Sequence, residues 1–205
     1  YNELLKVDDQ ISVIFSDCGH ILGSAAINIR IQEEGRVKTI CFSGDVGRYR
    51  DMILRAPEVF PQADYIIMES TYGNKLHEEH IPSVERFLDI LTDTCLKRKG
   101  KLIIPAFSIG RTQALVYSIN KIFAAKKLPP IKVFVDSPLG MAGTDIYRKH
   151  HHLLNDSAKA FYQSNGDQFA FDSLDYIETL NESKQISDYF EPCIIISSAG
   201  MLEGG

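Results

Sequence analysis

Three short stretches of the chain combine residue types that metals and phosphates need. The first is Asp17-Cys-Gly-His-Ile-Leu-Gly-Ser24, where His20 stands between glycines just after a strand-like run. A histidine in a tight turn can aim its ring outward, and neutral imidazole is a ready zinc ligand. The other reading is a turn histidine bonded to backbone. The second stretch is Phe42-Ser-Gly-Asp-Val-Gly-Arg48. Asp45 sits where a strand stops, and its small neighbours Gly44 and Gly47 let a metal or phosphate approach the backbone. Its two carboxylate oxygens can bridge two metals; otherwise it is a plain turn aspartate. Arg48 is either a planar fork for phosphate or a surface arginine. The third stretch is Met68-Glu-Ser-Thr-Tyr-Gly73. Glu69 closes an apolar run read as a buried strand, so its charge needs a partner. That partner can be the second N–H of a metal-bound imidazole, or Glu69 is a cap or turn residue. Tyr72 and Gly73 shape the turn or offer a ring to a base.

Further along, Pro105-Ala-Phe-Ser-Ile-Gly-Arg-Thr-Gln113 joins a strand to a helix. Ser108 or Gly110 opens that helix, whose first N–H groups make an anion site. Arg111 puts a cation in the first turn, against the helix dipole, which suits a bound anion; the alternative is an incidental arginine. Ser137, in Asp136-Ser-Pro-Leu139, and Ser198, in Ser197-Ser-Ala-Gly-Met201, add hydroxyls after strands. His150-His-His152 reads as a solvated helix end, because adjacent helical residues point about 100° apart. His77 and His80 read as surface residues.

These residues must be positioned by regular elements. Strands are expected at 11–15, 26–31 and 37–42, with a hairpin turn at Glu33-Glu-Gly-Arg36. From about residue 62 strands alternate with helices: strands at 64–69, 101–107, 131–136 and 192–197, helices near 82–98, 110–127 and 140–153. That alternation argues for a parallel sheet covered by helices. In the helix at 110–127, Leu115, Ile119, Ile122 and Phe123 are expected inward. Residues 155–190 read as a polar stretch. All four later strands end on small or polar residues, so four strand ends are expected on one ligand-binding rim.

The totals narrow the options. The chain has 205 residues, 44% hydrophobic and 24% charged, enough for a real core and unlike a disordered segment. A net charge of −5 excludes wholesale attraction to nucleic acid, so phosphate binding needs a local basic patch. Four scattered cysteines without a C-x-x-C pair exclude a zinc ribbon or disulfide framework and favour a reducing, cytoplasmic setting. No run approaches the ~18 apolar residues of a membrane helix. No G-x-G-x-x-G or P-loop lysine marks a nucleotide-binding domain.

Taken in order, six motifs resemble the metallo-β-lactamase-fold nucleases that carry a β-CASP domain: Gly19-His-Ile-Leu-Gly-Ser-Ala25, Phe42-Ser-Gly-Asp-Val-Gly-Arg48, Glu69-Ser-Thr-Tyr-Gly-Asn74, Pro105-Ala-Phe-Ser-Ile-Gly-Arg-Thr-Gln113, Asp136-Ser-Pro-Leu139 and Ser197-Ser-Ala-Gly-Met201. The resemblance implies part of a metallo-β-lactamase αββα sandwich over residues 1–69 and an α/β β-CASP domain with a parallel sheet over 70–205, incomplete at its C-terminus. It implies that His20 is a zinc ligand and that Asp45 bridges two zinc ions. Glu69 then supports a catalytic histidine, and Arg111 falls in a segment near the substrate cleft; Arg48, Ser108, Ser137 and Ser198 are expected to bind substrate from their own positions in turns and at strand ends. RNA is the implied substrate, with single-stranded DNA as a variant. The family's His-x-His-x-Asp-His is absent from these residues. The chain is therefore expected to be a fragment that binds zinc weakly and does not hydrolyse on its own. The rival expectation is a non-catalytic scaffold or RNA-binding subunit.

Overall fold

The computed structural model describes residues 1–76 and 84–198. The chain folds as two units. One is Tyr1–Glu78 with Leu153–Asp156; the other is Glu79–His152 with Ser157–Gly205.

The first unit is one five-stranded sheet in the order β1-β2-β3-β4-β5. Its strands are β1 (Leu5–Lys6), β2 (Ile11–Asp17), β3 (Ala25–Glu33), β4 (Arg36–Phe42) and β5 (Tyr65–Ile67). Alternating apolar residues pair β2 and β3 antiparallel from Ile11↔Ile31 to Asp17↔Ala25. Between Glu33 and Arg36 only Glu34 and Gly35 intervene, both at positive φ, the geometry of a two-residue hairpin. β5 joins β4 in parallel, pinned by the Asp64 carboxylate, which accepts the Thr39 N–H at 2.8 Å and its hydroxyl at 2.9 Å. One expectation fails here. Tyr65, Ile66 and Ile67 are 59%, 65% and 56% exposed, so β5 is an open edge strand and not a buried one. An apolar run sets strand propensity; burial depends on what covers the sheet.

The second unit holds a four-stranded, all-parallel sheet in the order β6-β9-β7-β8. Its strands are β6 (Lys101–Ala106), β7 (Lys132–Asp136), β8 (Leu174–Ile177) and β9 (Cys193–Ser198). Val133, Val135, Ile194 and Ile196 are fully buried on one face, and Phe134 and Cys193 are buried on the other, as in a sheet covered on both faces. Helices α1 (Val84–Leu91), α2 (Arg111–Ala124), α3 (Pro138–Lys149), α4 (Asp156–Asn165) and α5 (Leu180–Ile186) alternate with the strands. A π-helical turn at Thr92–Lys97 extends α1. In α2 Ile119 and Ile122 are buried as expected, Leu115 and Phe123 half-buried, and Val116 and Tyr117 fully buried.

Two findings go beyond the sequence reading. The stretch 155–190, read only as polar, carries α4, β8 and α5. α5 opens on a capping box in which Glu182 accepts the Thr179 N–H at 2.9 Å and Thr179 accepts the Glu182 N–H at 3.2 Å. The rim also differs: the strand before Glu69 belongs to the first sheet, so the parallel sheet gathers three of the four expected ends, after β6, β7 and β9. Its fourth strand is β8.

Candidate functional site

In the first unit, the turns after β2 and β4 bring His20 and Asp45 together. His20 Nε2 lies 3.8 Å from Asp45 Oδ2, too far for a hydrogen bond, and the side chains are 46% and 71% exposed. Both donors therefore face solvent with free coordinating atoms.

The backbone sets this distance. Gly47 N–H donates to the Cys18 carbonyl at 2.7 Å, docking one turn on the other. A Cβ at Gly47 would overlap the Gly19 carbonyl and come 2.7 Å from the His20 nitrogen. Gly19 has φ +62°, and a Cβ there would meet the Arg55 carbonyl at 2.7 Å. Asp17 Oδ1 accepts the Gly19 N–H at 2.9 Å, and its Oδ2 pairs with Arg55 at 3.3 Å. Ser24 Oγ then accepts the N–H groups of His20 and Ile21 at 3.1 and 3.2 Å. His20 thus rides on a turn fixed from three sides.

Glu69 supports the other turn. Its Oε1 accepts the Val46 N–H at 2.7 Å, next to Asp45. That bond, with a smaller contribution from the Thr71 hydroxyl, holds the Glu69 carboxyl below the usual carboxylate range. Arg48 is exposed on the same turn and has no ion pair among the described residues.

An imidazole and a carboxylate open to solvent have the donor chemistry that zinc accepts. Among the described residues no group of three or more His, Cys, Asp and Glu could hold a metal. The pair fits as part of a ligand set. His77 and His80 lie outside the described residues, as does Ala199-Gly-Met201. His150 and His152 are exposed, while the His151 ring stacks on Tyr162 with centroids 4.4 Å apart.

In the second unit, the ends of β6, β7 and β9 converge in a hydroxyl cradle. Ser137 Oγ donates to Ser108 Oγ at 3.1 Å, and Ser108 and Ser198 share a hydrogen bond of 3.0 Å. Ser137 also caps α3, accepting the Gly140 N–H at 2.9 Å. Arg111 starts α2 exposed, without an ion pair among the described residues.

Sequence reasoning quoted Gln113 but gave it no role. It is fully buried and organises the cradle. Its Oε1 accepts the Gly110 N–H at 2.7 Å. Its Nε2 donates to the Ser108 and Gly140 carbonyls, both at 3.1 Å, and to Thr144 Oγ1 at 3.0 Å. The available signal was a glutamine three residues past Gly110, where a side chain reaches back over the helix start. Asp17 was missed, and Gly47 was read only as room for a metal or phosphate; the part each plays in docking the turns appears only once the turns meet.

These features define a two-sheet α/β protein with an open imidazole–carboxylate pair on one sheet and, on the other, a hydroxyl cradle of one buried and two half-buried serines. Comparison with known proteins agrees. Residues 112–205 match the Beta-Casp domain. The chain is 30% identical over 205 residues to a ribonuclease of Thermus thermophilus, covering all of this chain and 46% of that protein. It is 28% identical over 209 residues to transcription termination factor FttA of Methanosarcina mazei, covering all of this chain and 32% of the relative. It is 31% identical over 198 residues to cleavage and polyadenylation specificity factor subunit 3 of Dictyostelium discoideum, covering 95% of this chain and 24% of the relative. The chain thus spans less than half the length of each. Residues 112–205 thus match the Beta-Casp domain within a chain that is similar to these relatives along nearly its whole length.

Proposed function

We propose that the chain is part of a zinc-dependent hydrolase that cuts phosphodiester bonds in RNA. The observation that carries this reading is the solvent-open His20–Asp45 pair, with atoms 3.8 Å apart on turns locked by backbone contacts. In this reading residues 1–69 are part of the metallo-β-lactamase domain and 70–205 belong to the β-CASP domain. A relative named as a ribonuclease supports RNA as the substrate; single-stranded DNA is the variant to test.

His20 and Asp45 would hold zinc. The chemistry that bound zinc supplies is Lewis acidity, which acidifies water and offsets charge on phosphoryl oxygens. The chain's own residues do the positioning. Glu69 keeps the Asp45 turn in place through the Val46 N–H. Arg48 offers two parallel N–H donors to a phosphate, and Arg111 offers the same from the start of α2. Ser108 and Ser198, both half-buried, offer the hydroxyls a substrate can reach; Ser137 is 1% exposed and, contrary to the expectation that it binds substrate, holds Ser108 in position instead.

The ligand count sets a limit. Two donors are fewer than the three or four per metal that a stable zinc site uses. These 205 residues alone should bind zinc weakly and hydrolyse nothing appreciable. All four cysteines are free and buried, which supports a reducing, cytoplasmic setting.

The test uses the full-length protein from the natural gene with end-labelled single-stranded RNA and DNA. Cutting of RNA that stops with chelator and with His20→Ala supports the hydrolase. RNA binding without cutting, in zinc-supplemented buffer, would favour the non-catalytic scaffold instead.

A further inference from the structure

The turn that carries Asp45 continues into Arg48-Tyr-Arg50, a segment with no role so far beyond Arg48 itself. Tyr49 is 81% exposed and flanked by two exposed arginines. A single exposed aromatic is ordinary. Three observations set this one apart.

First, the segment is anchored at both ends. On one side Gly47 donates to the Cys18 carbonyl at 2.7 Å. On the other, Asp51 Oδ1 accepts the N–H groups of Ile53 and Leu54, both at 2.8 Å, and Asn155 donates to the Asp51 carbonyl at 3.1 Å. The three-residue tip projects from a fixed stem, so little ordering cost attends binding.

Second, its charges are not neutralised. Neither Arg48 nor Arg50 makes an ion pair among the described residues, whereas Arg55, five residues further on, pairs with Asp17 at 3.3 Å. Two free guanidinium groups in a chain of net charge −5 make a local cationic spot of the kind that phosphate binding needs.

Third, the tip starts three residues after Asp45, and a second exposed ring, Tyr72, follows Glu69 by three residues. Tyr49 thus leaves the turn that carries Asp45, and Tyr72 leaves the segment whose Glu69 carboxylate holds that turn.

We propose that Arg48-Tyr49-Arg50 is a docking point for single-stranded nucleic acid, in which the Tyr49 ring stacks on one unpaired base while Arg48 and Arg50 hold the phosphates on either side. Bases of every type have a π-face, so such a contact tolerates sequence and requires an unpaired strand. The proposal takes its ligand from the hydrolase reading but does not need hydrolysis.

The experiment measures binding of a fluorescein-labelled oligouridylate of about ten nucleotides, a length within the range one such groove covers. The full-length natural protein is used in chelator so that no cutting intervenes. Tyr49→Ala should weaken binding about 5- to 150-fold, the equivalent of ~1–3 kcal/mol per stacked base. Tyr49→Phe keeps the ring and should bind within about twofold of wild type. Arg50→Ala should lower the slope of log affinity against log salt by about 0.7, the value for one lost phosphate contact on a single strand. Unchanged binding by Tyr49→Ala overturns the proposal, as does an equal loss with Tyr49→Phe. Zinc content, measured on the same samples before chelation, separates the two readings. Protein without zinc that still loses binding with Tyr49→Ala retires the hydrolase and keeps the docking point. Protein with zinc whose binding ignores Tyr49 does the reverse.

Discussion

The imidazole–carboxylate pair and the serine cradle are built by opposite means. His20 and Asp45 are open side chains on turns held by backbone contacts, Gly47 against Cys18 and Gly19. The cradle is more enclosed: Ser137 is 1% exposed, Ser108 and Ser198 are half-buried, and one buried glutamine ties two helix starts to a strand end. The first arrangement leaves its functional atoms free to take a ligand and puts its constraint in glycines. The second satisfies its own polar groups and puts its constraint in side-chain hydrogen bonds. Substitutions should therefore strike the two regions through different chemistry.

The largest effect is expected at Gly47. An Ala there must push Gly19 and His20 aside, and no flexible side-chain end is available to yield. Gly47→Ala should cost about 3–4 kcal/mol in urea unfolding. If it unfolds like wild type, the backbone lock is not what holds the pair. Next comes Gln113→Leu, which keeps the bulk but orphans the Gly110 N–H and the Ser108 carbonyl. The loss should be about 2–3 kcal/mol, because buried polar groups left unpaired keep their desolvation penalty. A neutral Gln113→Leu would mean that packing alone shapes the cradle. Ser137→Ala removes the α3 cap and one cradle bond and should cost about 1–2 kcal/mol by the same assay.

Sequence pattern accounted for much of the fold, and its failures have physical causes. The alternation in Ala25–Glu33 and the Glu34-Gly35 turn were legible because a half-buried hairpin writes its period into the sequence. Strand β8 was not, since Leu174-Asp-Tyr-Ile177 is only four residues long and its partner β7 lies about forty residues earlier. β5 was found but taken as buried, since Tyr65-Ile-Ile67 looks the same whether or not anything covers it. Residue types at the site were readable at His20, Asp45 and the three serines. The role of Gln113 was not, because Gly140 and Thr144 reach it from another helix. Nor was the dependence of His20 on Gly47, which is a contact between turns.

A smaller effect tests the closed side of the comparison by pH. Burial, partly offset by Arg148, pushes the Tyr176 hydroxyl up to about 12 from its ordinary value of 10.0. The folded state holds that proton more tightly than the unfolded chain does. Tyr176 therefore contributes its full stability below pH 10 and loses it as pH rises towards about 12. Burial raises the Tyr117 and Tyr1 hydroxyls as well, so ultraviolet titration should show several tyrosines ionising late, and Tyr176→Phe should remove the component near pH 12. The smallest effects belong to the open cations. Arg48→Ala and Arg111→Ala should each change stability by less than about 0.5 kcal/mol, since neither side chain has an ion-pair partner among the described residues. A larger loss at either would show that it supports the fold rather than facing a ligand.

The zinc content of the full-length natural protein tests the central claim most directly. Elemental analysis of purified wild type beside Asp45→Ala and His20→Ala should find about two zinc ions per chain in wild type. Both substitutions should lower that value. Wild-type protein without zinc, or zinc content untouched by Asp45→Ala, would contradict the assignment of His20 and Asp45 as metal ligands.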